Sequence, residues 1–144
     1  EPSRHQALVD LNVSALTMLL AQFLPAMCER GWGRVLNVVS IAAFQPVPTL
    51  ATYAATKAYV LSLTESLAEE LKDSGVTVTA LCPGITATPM LGRARQASRG
   101  LERLPGFVVG EVDAVADEGF DACMNGVPTG RPSTSARPAA ITIS

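Results

Sequence analysis

A parallel α/β sheet flanked by helices is the fold class this sequence predicts, and three observations predict it. Helix-like and strand-like segments alternate in the order helix, strand, helix, strand, with short links. Residues 35–40 and 76–82 are apolar on both alternating sets, as strands covered on two faces are. Gly31 and Gly75 stand where the two long helical patterns stop, just ahead of those strands.

The elements follow in order. Ser3 and Gln6 match a capping box, and Leu8, Leu11, Ala15, Met18, Leu19, Phe23 and Met27 then recur at helical spacing. Pro25 predicts a kink in the last turns, and Gly31-Trp32-Gly33 a tight connection with Trp32 packed on the surface. After the strand at 35–40, Pro46 and Pro48 mark a loop. Thr49 is placed to cap a helix reaching Ser74, with Tyr53, Lys57, Val60, Thr64, Leu67 and Leu71 on one face. The second strand closes on Pro83-Gly84. Residues 85–106 read as a loop or broken helix, 111–124 as a further helix, and 140–143 as a possible short strand. The domain so defined is 1–126, and 127–144, rich in Gly, Pro, Ser and Thr, reads as a weakly ordered tail.

Composition narrows the function. At 144 residues, 48% hydrophobic and 17% charged, the chain suits one globular core. A net charge of −2 offers no basic field for nucleic acid. The apolar stretch 11–27 is broken by Asn12, Ser14, Thr17, Gln22 and Pro25 and is not expected to span a membrane. Cys28, Cys82 and Cys123 are too far apart for a CxxC metal site and read as inert thiols in a cytoplasmic setting; no metal is expected. The only histidine, His5, is expected at the surface, which removes a Ser-His-Asp triad. Arg93, Arg95, Arg99 and Arg103 read as a solvated basic face.

The chemistry centres on Tyr53 and Lys57, one helical turn apart and facing Ser40 at the end of a strand. An ammonium beside a phenol favours the phenolate and brings it toward the working pH, making a proton-transfer group. Each motif alone has an ordinary structural reading: a Tyr-x-x-x-Lys pair is common on helices, and a serine after a strand is a turn-former. Asn12 within a helix is usually solvated or locally bonded.

Together the segments Leu11-Asn12-Val13, Gly33 to Ser40, Tyr53-Ala54-Ala55-Thr56-Lys57 and Pro83 to Thr88 resemble the classical short-chain dehydrogenase/reductase family, in its order and spacing. The resemblance covers about residues 1–126 and matches the C-terminal part of a Rossmann-like, doubly wound parallel sheet. It implies catalytic roles for Asn12, Ser40, Tyr53 and Lys57. Tyr53 would be the general acid/base, Ser40 would hold the carbonyl oxygen, and Asn12 would bind a water leading to Lys57. It implies an NAD or NADP cofactor met by Tyr53, Lys57, Pro83, Gly84, Ile85 and Thr88, with residues 44–50 and 85–106 lining the substrate pocket. It also implies a small carbonyl or alcohol substrate and a homodimer or homotetramer built on the two long helices, 3–30 and 49–74. The Gly-rich phosphate turn of the family is not found in these residues. An N-terminally truncated family member is therefore expected. The alternative expectation is a non-catalytic remnant that binds or dimerises.

Overall fold

The computed structural model describes residues 1–84, 112–126 and the backbone of 140–143. One long helical rod opens the chain: α1 (Pro2–Val9), a π-helical segment (Asp10–Ala15) and α2 (Leu16–Glu29). Strand β1 (Gly33–Val38), a short 3₁₀ turn (Ile41–Phe44), α3 (Ala51–Glu70) and β2 (Val76–Pro83) follow. Then come α4 (Val112–Asn125) and β3 (Ala140–Ile143). The sheet order is β1-β2-β3. β1 and β2 pair in parallel, Gly33 opposite Val76 through Val38 opposite Leu81, as right-handed crossovers demand.

Several local expectations are corrected. The first helix starts at Pro2 with Glu1 as its cap and no side-chain capping bond; proline at the first helical position needs none. Gln6 turns forward instead and donates to Asp10 at 2.8 Å. The helix continues through Pro25 to Glu29, and its irregularity lies upstream in the π segment that holds Asn12. β1 ends at Val38, so Ser40 lies beyond the strand and caps the 3₁₀ turn, accepting from the Ala42 amide at 3.2 Å. Thr49 has φ +70° and does not cap α3; Leu50 occupies that position. α3 stops at Glu70, and a tight turn at Leu71–Ser74 leads into Gly75 at φ +77°. A Cβ at Gly75 would collide with the Gly31 carbonyl, so the two helix-ending glycines touch each other.

Burial shows how the layers meet. Leu20 and Leu24 of α2 pack with Val76 and Val78 of β2. Val60 and Leu61 of α3 pack with Val39, Ala80 and Cys82. On the other side of the sheet, Val115 of α4 packs with Leu81. α3 buries Ala54, Thr56, Val60, Leu61 and Thr64; Tyr53, Lys57, Leu67 and Leu71, the other members of the predicted stripe, are half-buried. The two-sided burial predicted for the first strand fails at Val38, which is 54% exposed: among the described residues, β1 is covered on one face only near its end.

Helix α1–α2 is long and apolar enough to span a membrane by composition alone. Within this domain its Leu20 and Leu24 are buried against β2, and the polar bonds described below tie it to α3. The short strand expected at 140–143 is present and pairs antiparallel with β2, Ala140 opposite Pro83. The chain enters this strand at the carboxyl end of β2, which sets its direction; antiparallel edge strands are common on parallel sheets. The expected loop at 85–106 lies outside the described residues.

Candidate active site

Tyr53 and Lys57 stand on the first and second turns of α3, both half-buried, as an i, i+4 pair. The Lys57 ammonium lies 5.8 Å from the centre of the Tyr53 ring, close enough for a cation–π attraction. Its Nζ donates to the Val38 carbonyl at 2.8 Å. That bond fastens α3 to the last residue of β1, two positions before Ser40. Lys57 is thereby held at the carboxyl end of β1, where open α/β sheets bind ligands.

The electrostatics are those of a partly dehydrated amine. Burial pulls Lys57 below its ordinary value, and the nearby Cys82 acts in the opposite direction. Cys82, at the end of β2, is pushed up to about 11, first by burial and then by Glu65; the Ser40 backbone and Lys57 offset part of this. The thiol is therefore neutral across the physiological range. Cys82, Ser40 and Lys57 meet here, and Cys82 is a neighbour that sequence reasoning missed.

Asn12 reaches the same helix by a route not foreseen. Its Nδ2 donates to Thr56 Oγ1 at 3.0 Å, and Thr56 donates in turn to the Tyr53 carbonyl at 2.8 Å. His5 is exposed as expected, yet its Nδ1 lies 2.8 Å from Thr52 Oγ1. Thr17 and Tyr59 hydroxyls meet at 2.9 Å further along. Three polar bridges thus join the opening rod to α3. Thr56 lies between the two predicted residues and carried one signal in the sequence: a threonine inside a helix bonds the carbonyl one turn back. The Val38 carbonyl carried none, since any residue offers that group.

Two other expectations are placed differently. A cavity of about 540 Å³ is lined by residues 42–48 together with Ala51, Ala54, Ala55 and Ala58. At 100° per residue those alanines turn well away from Tyr53 and Lys57, and neither residue lines the cavity. The 44–50 segment therefore encloses apolar space behind α3. Of the predicted cofactor contacts, Pro83 and Gly84 are half-buried at the end of β2, and Ile85 and Thr88 lie outside the described residues. Among the described residues no cluster of His, Cys, Asp and Glu could hold a metal.

The donor set fits one end of a dinucleotide. An ammonium with two further protons and a phenol beside it suit ribose hydroxyls and a carbonyl oxygen. No glycine-rich helix start among the described residues offers a cradle for phosphates.

The family model described as short chain dehydrogenase matches residues 1–99. A 2-dehydro-3-deoxy-L-rhamnonate dehydrogenase (NAD(+)) of Sphingomonas sp. is 35% identical over 92 residues, covering 64% of this chain and 37% of that protein. A short-chain dehydrogenase from Sphingobium yanoikuyae, solved with NADPH, superposes with a TM-score of 0.69 at 36% identity; the match covers 81% of this chain and 44% of that one. A 3-ketoacyl-(acyl-carrier-protein) reductase from Brucella melitensis, solved with NADH, gives 0.69 at 29% identity, covering 85% and 51%. The chain spans about a third to a half of the length of these relatives.

Proposed function

The chain belongs to the short-chain dehydrogenase family, and from that premise we propose that it serves an NAD(P)-dependent oxidoreductase interconverting a ketone and an alcohol. The observation that carries the proposal is the Tyr53–Lys57 pair anchored through Val38 at the sheet's carboxyl end. Relatives solved with NADPH and with NADH support either nicotinamide cofactor.

Tyr53 is the general acid of ketone reduction and the general base of alcohol oxidation. Its phenol proton passes to the substrate oxygen, and Lys57 stabilises the phenolate left behind. Ser40 accepts the Ala42 amide through Oγ and turns its own proton to the same substrate oxygen, steadying the developing charge. Lys57, one proton committed to Val38, has two more for the cofactor ribose. Pro83 and Gly84, with Ile85 and Thr88 beyond them, belong to the cofactor's nicotinamide end. The nicotinamide supplies the hydride when bound. Asn12, held through Thr56, takes the water-relay position toward Lys57.

The substrate is a small carbonyl or alcohol compound. Leu11, Met18, Leu19 and Phe23 are more than half exposed along the opening rod, which supports assembly into a dimer or tetramer through the long helices. The three free thiols suit a cytoplasmic location.

Absorbance at 340 nm with NADPH or NADH and a panel of ketones tests the reading. Tyr53→Phe is expected to lower turnover on the order of 10²–10⁴-fold with cofactor fluorescence binding retained. Undiminished turnover in that variant would overturn the role of Tyr53. Binding of neither cofactor would favour the non-catalytic, dimerising remnant.

A further inference from the structure

We infer that Thr56 is the positioning residue of the Tyr53–Lys57 pair, locking their turn of α3 onto the π segment through Asn12; this rests on reading that pair as the reacting groups. Thr56 is 3% exposed and sits between them in sequence. Its hydroxyl has one proton, and the Tyr53 carbonyl takes it at 2.8 Å. Toward Asn12 the oxygen can then only accept, which matches the Nδ2 donor at 3.0 Å. The polarity of the whole chain, Asn12 amide to Thr56 hydroxyl to Tyr53 carbonyl, is fixed by that single proton. It also directs Asn12 Oδ1 away from Thr56.

The placement explains the choice of residue. Thr52 and Thr56 form an i, i+4 stripe facing the opening rod, tied to His5 and Asn12 respectively. Tyr53 and Lys57 each follow one residue later, about 100° round the helix, and face the strand ends. A turn gripped through Thr56 therefore sets the base from which Lys57 crosses to Val38. Serine would keep the hydroxyl but lose the β-branch that restricts its rotamer; valine keeps the shape and loses both bonds. The same arrangement recurs eight residues on, where Asn37 Nδ2 donates to Thr64 at 2.9 Å and Thr64 donates to the Val60 carbonyl at 2.7 Å. There it joins α3 to β1 inside the core. A helix that twice uses Asn, Thr and a carbonyl in this order uses it as a fastener.

Lys57 itself supplies a readout, because the chain has only two lysines, Lys57 and the exposed Lys72. The charged or titratable groups around the Lys57 ammonium are Tyr53 on α3 and Cys82 on β2, with Glu65 acting on Cys82. Protein labelled with ¹³C at lysine Cε is titrated by NMR, with Lys72 as the internal control. Thr56→Val is expected to move the Lys57 midpoint upward, because a loosened turn lets water reach the amine. Thr56→Ser should restore most of the original midpoint. Asn12→Asp, which sets an acceptor against an acceptor, should act as Thr56→Val does. An unmoved Lys57 midpoint in a folded Thr56→Val protein overturns the inference. Should that variant unfold, Asn12→Ala, which leaves the Thr56–Tyr53 bond in place, decides the matter by the same criterion. The titration needs neither cofactor nor turnover, so it tests the grip of Thr56 on this turn even where no ketone is reduced. In active protein, Thr56→Val should lower kcat on the order of tenfold to a hundredfold with KM little changed.

Discussion

The two asparagine–threonine fasteners on α3 differ in where they sit and so in what they hold. Thr64 is 1% exposed and Asn37 4%, and both are enclosed where α3 packs on β2. Asn12, in contrast, is only half-buried and reaches Thr56 across the seam between the opening rod and α3. A hydrogen bond sealed from water is costly to break, because the group left behind has no other partner. One that water can reach contributes less to stability, and its value lies in direction. The far end of α3 is thus held by burial and a sealed bond, and the near end, with Tyr53 and Lys57, by polar ties that set orientation.

Variants can break or sharpen this contrast. The largest loss is expected from Leu24→Ala, which empties apolar volume against Val76 and Val78 and should cost about 2–5 kcal/mol in urea unfolding. Its Lys57 titration should stay unchanged, since the cavity lies at the far end. Asn37→Ala comes next, with about 1–3 kcal/mol expected, because Thr64 loses its buried donor. Replacing both members, Asn37→Leu with Thr64→Val, should recover part of that loss. A double variant no better than the single one would show that the bond is not sealed. Thr56→Val is expected to cost only about 0.5–1.5 kcal/mol while shifting Lys57, the reverse of the Leu24 pattern.

A further contrast is one of pH. Cys82 has a thiol value of about 11 in the folded chain against an ordinary 9.0. The folded state therefore keeps a proton that the unfolded state releases first, and stability falls as pH rises from about 9 to about 11. Lys57, lowered by burial, works the other way, because the unfolded chain holds its proton to higher pH. Cys82→Ala should remove the fall and leave the Lys57 contribution, giving a flatter or rising urea-stability curve across that interval. An identical alkaline fall in both proteins would assign it to another group.

How far the sequence could be read depended on range. β-branched runs and glycine stops located both parallel strands, and the order of Asn12, Ser40, Tyr53 and Lys57 pointed to the cluster before any contact was known. What escaped depended on contacts between distant residues. The π segment has no local signature, since its extra residue per turn is stabilised by what Asn12 meets on α3. Pro25 suggested an irregularity at the wrong end of the rod, because its ring can be accommodated where the preceding turn has room. The direction of β3 rests on pairing with Pro83 through Ala80, far away in sequence. The grip of Lys57 on Val38 uses a backbone carbonyl, which no side-chain pattern announces.

The π segment carries a consequence for how this chain tolerates change in length. A π turn differs from an α turn by one inserted residue, so losing any one residue between Asp10 and Ala15 would restore a regular helix. The π turn takes up that residue without re-phasing the helix, so the residues before the deletion would keep their direction relative to those after it. Leu20 and Leu24 would keep their seats on β2, and His5 would still face Thr52. A single codon lost here would shorten the rod and leave both of its halves in register with α3.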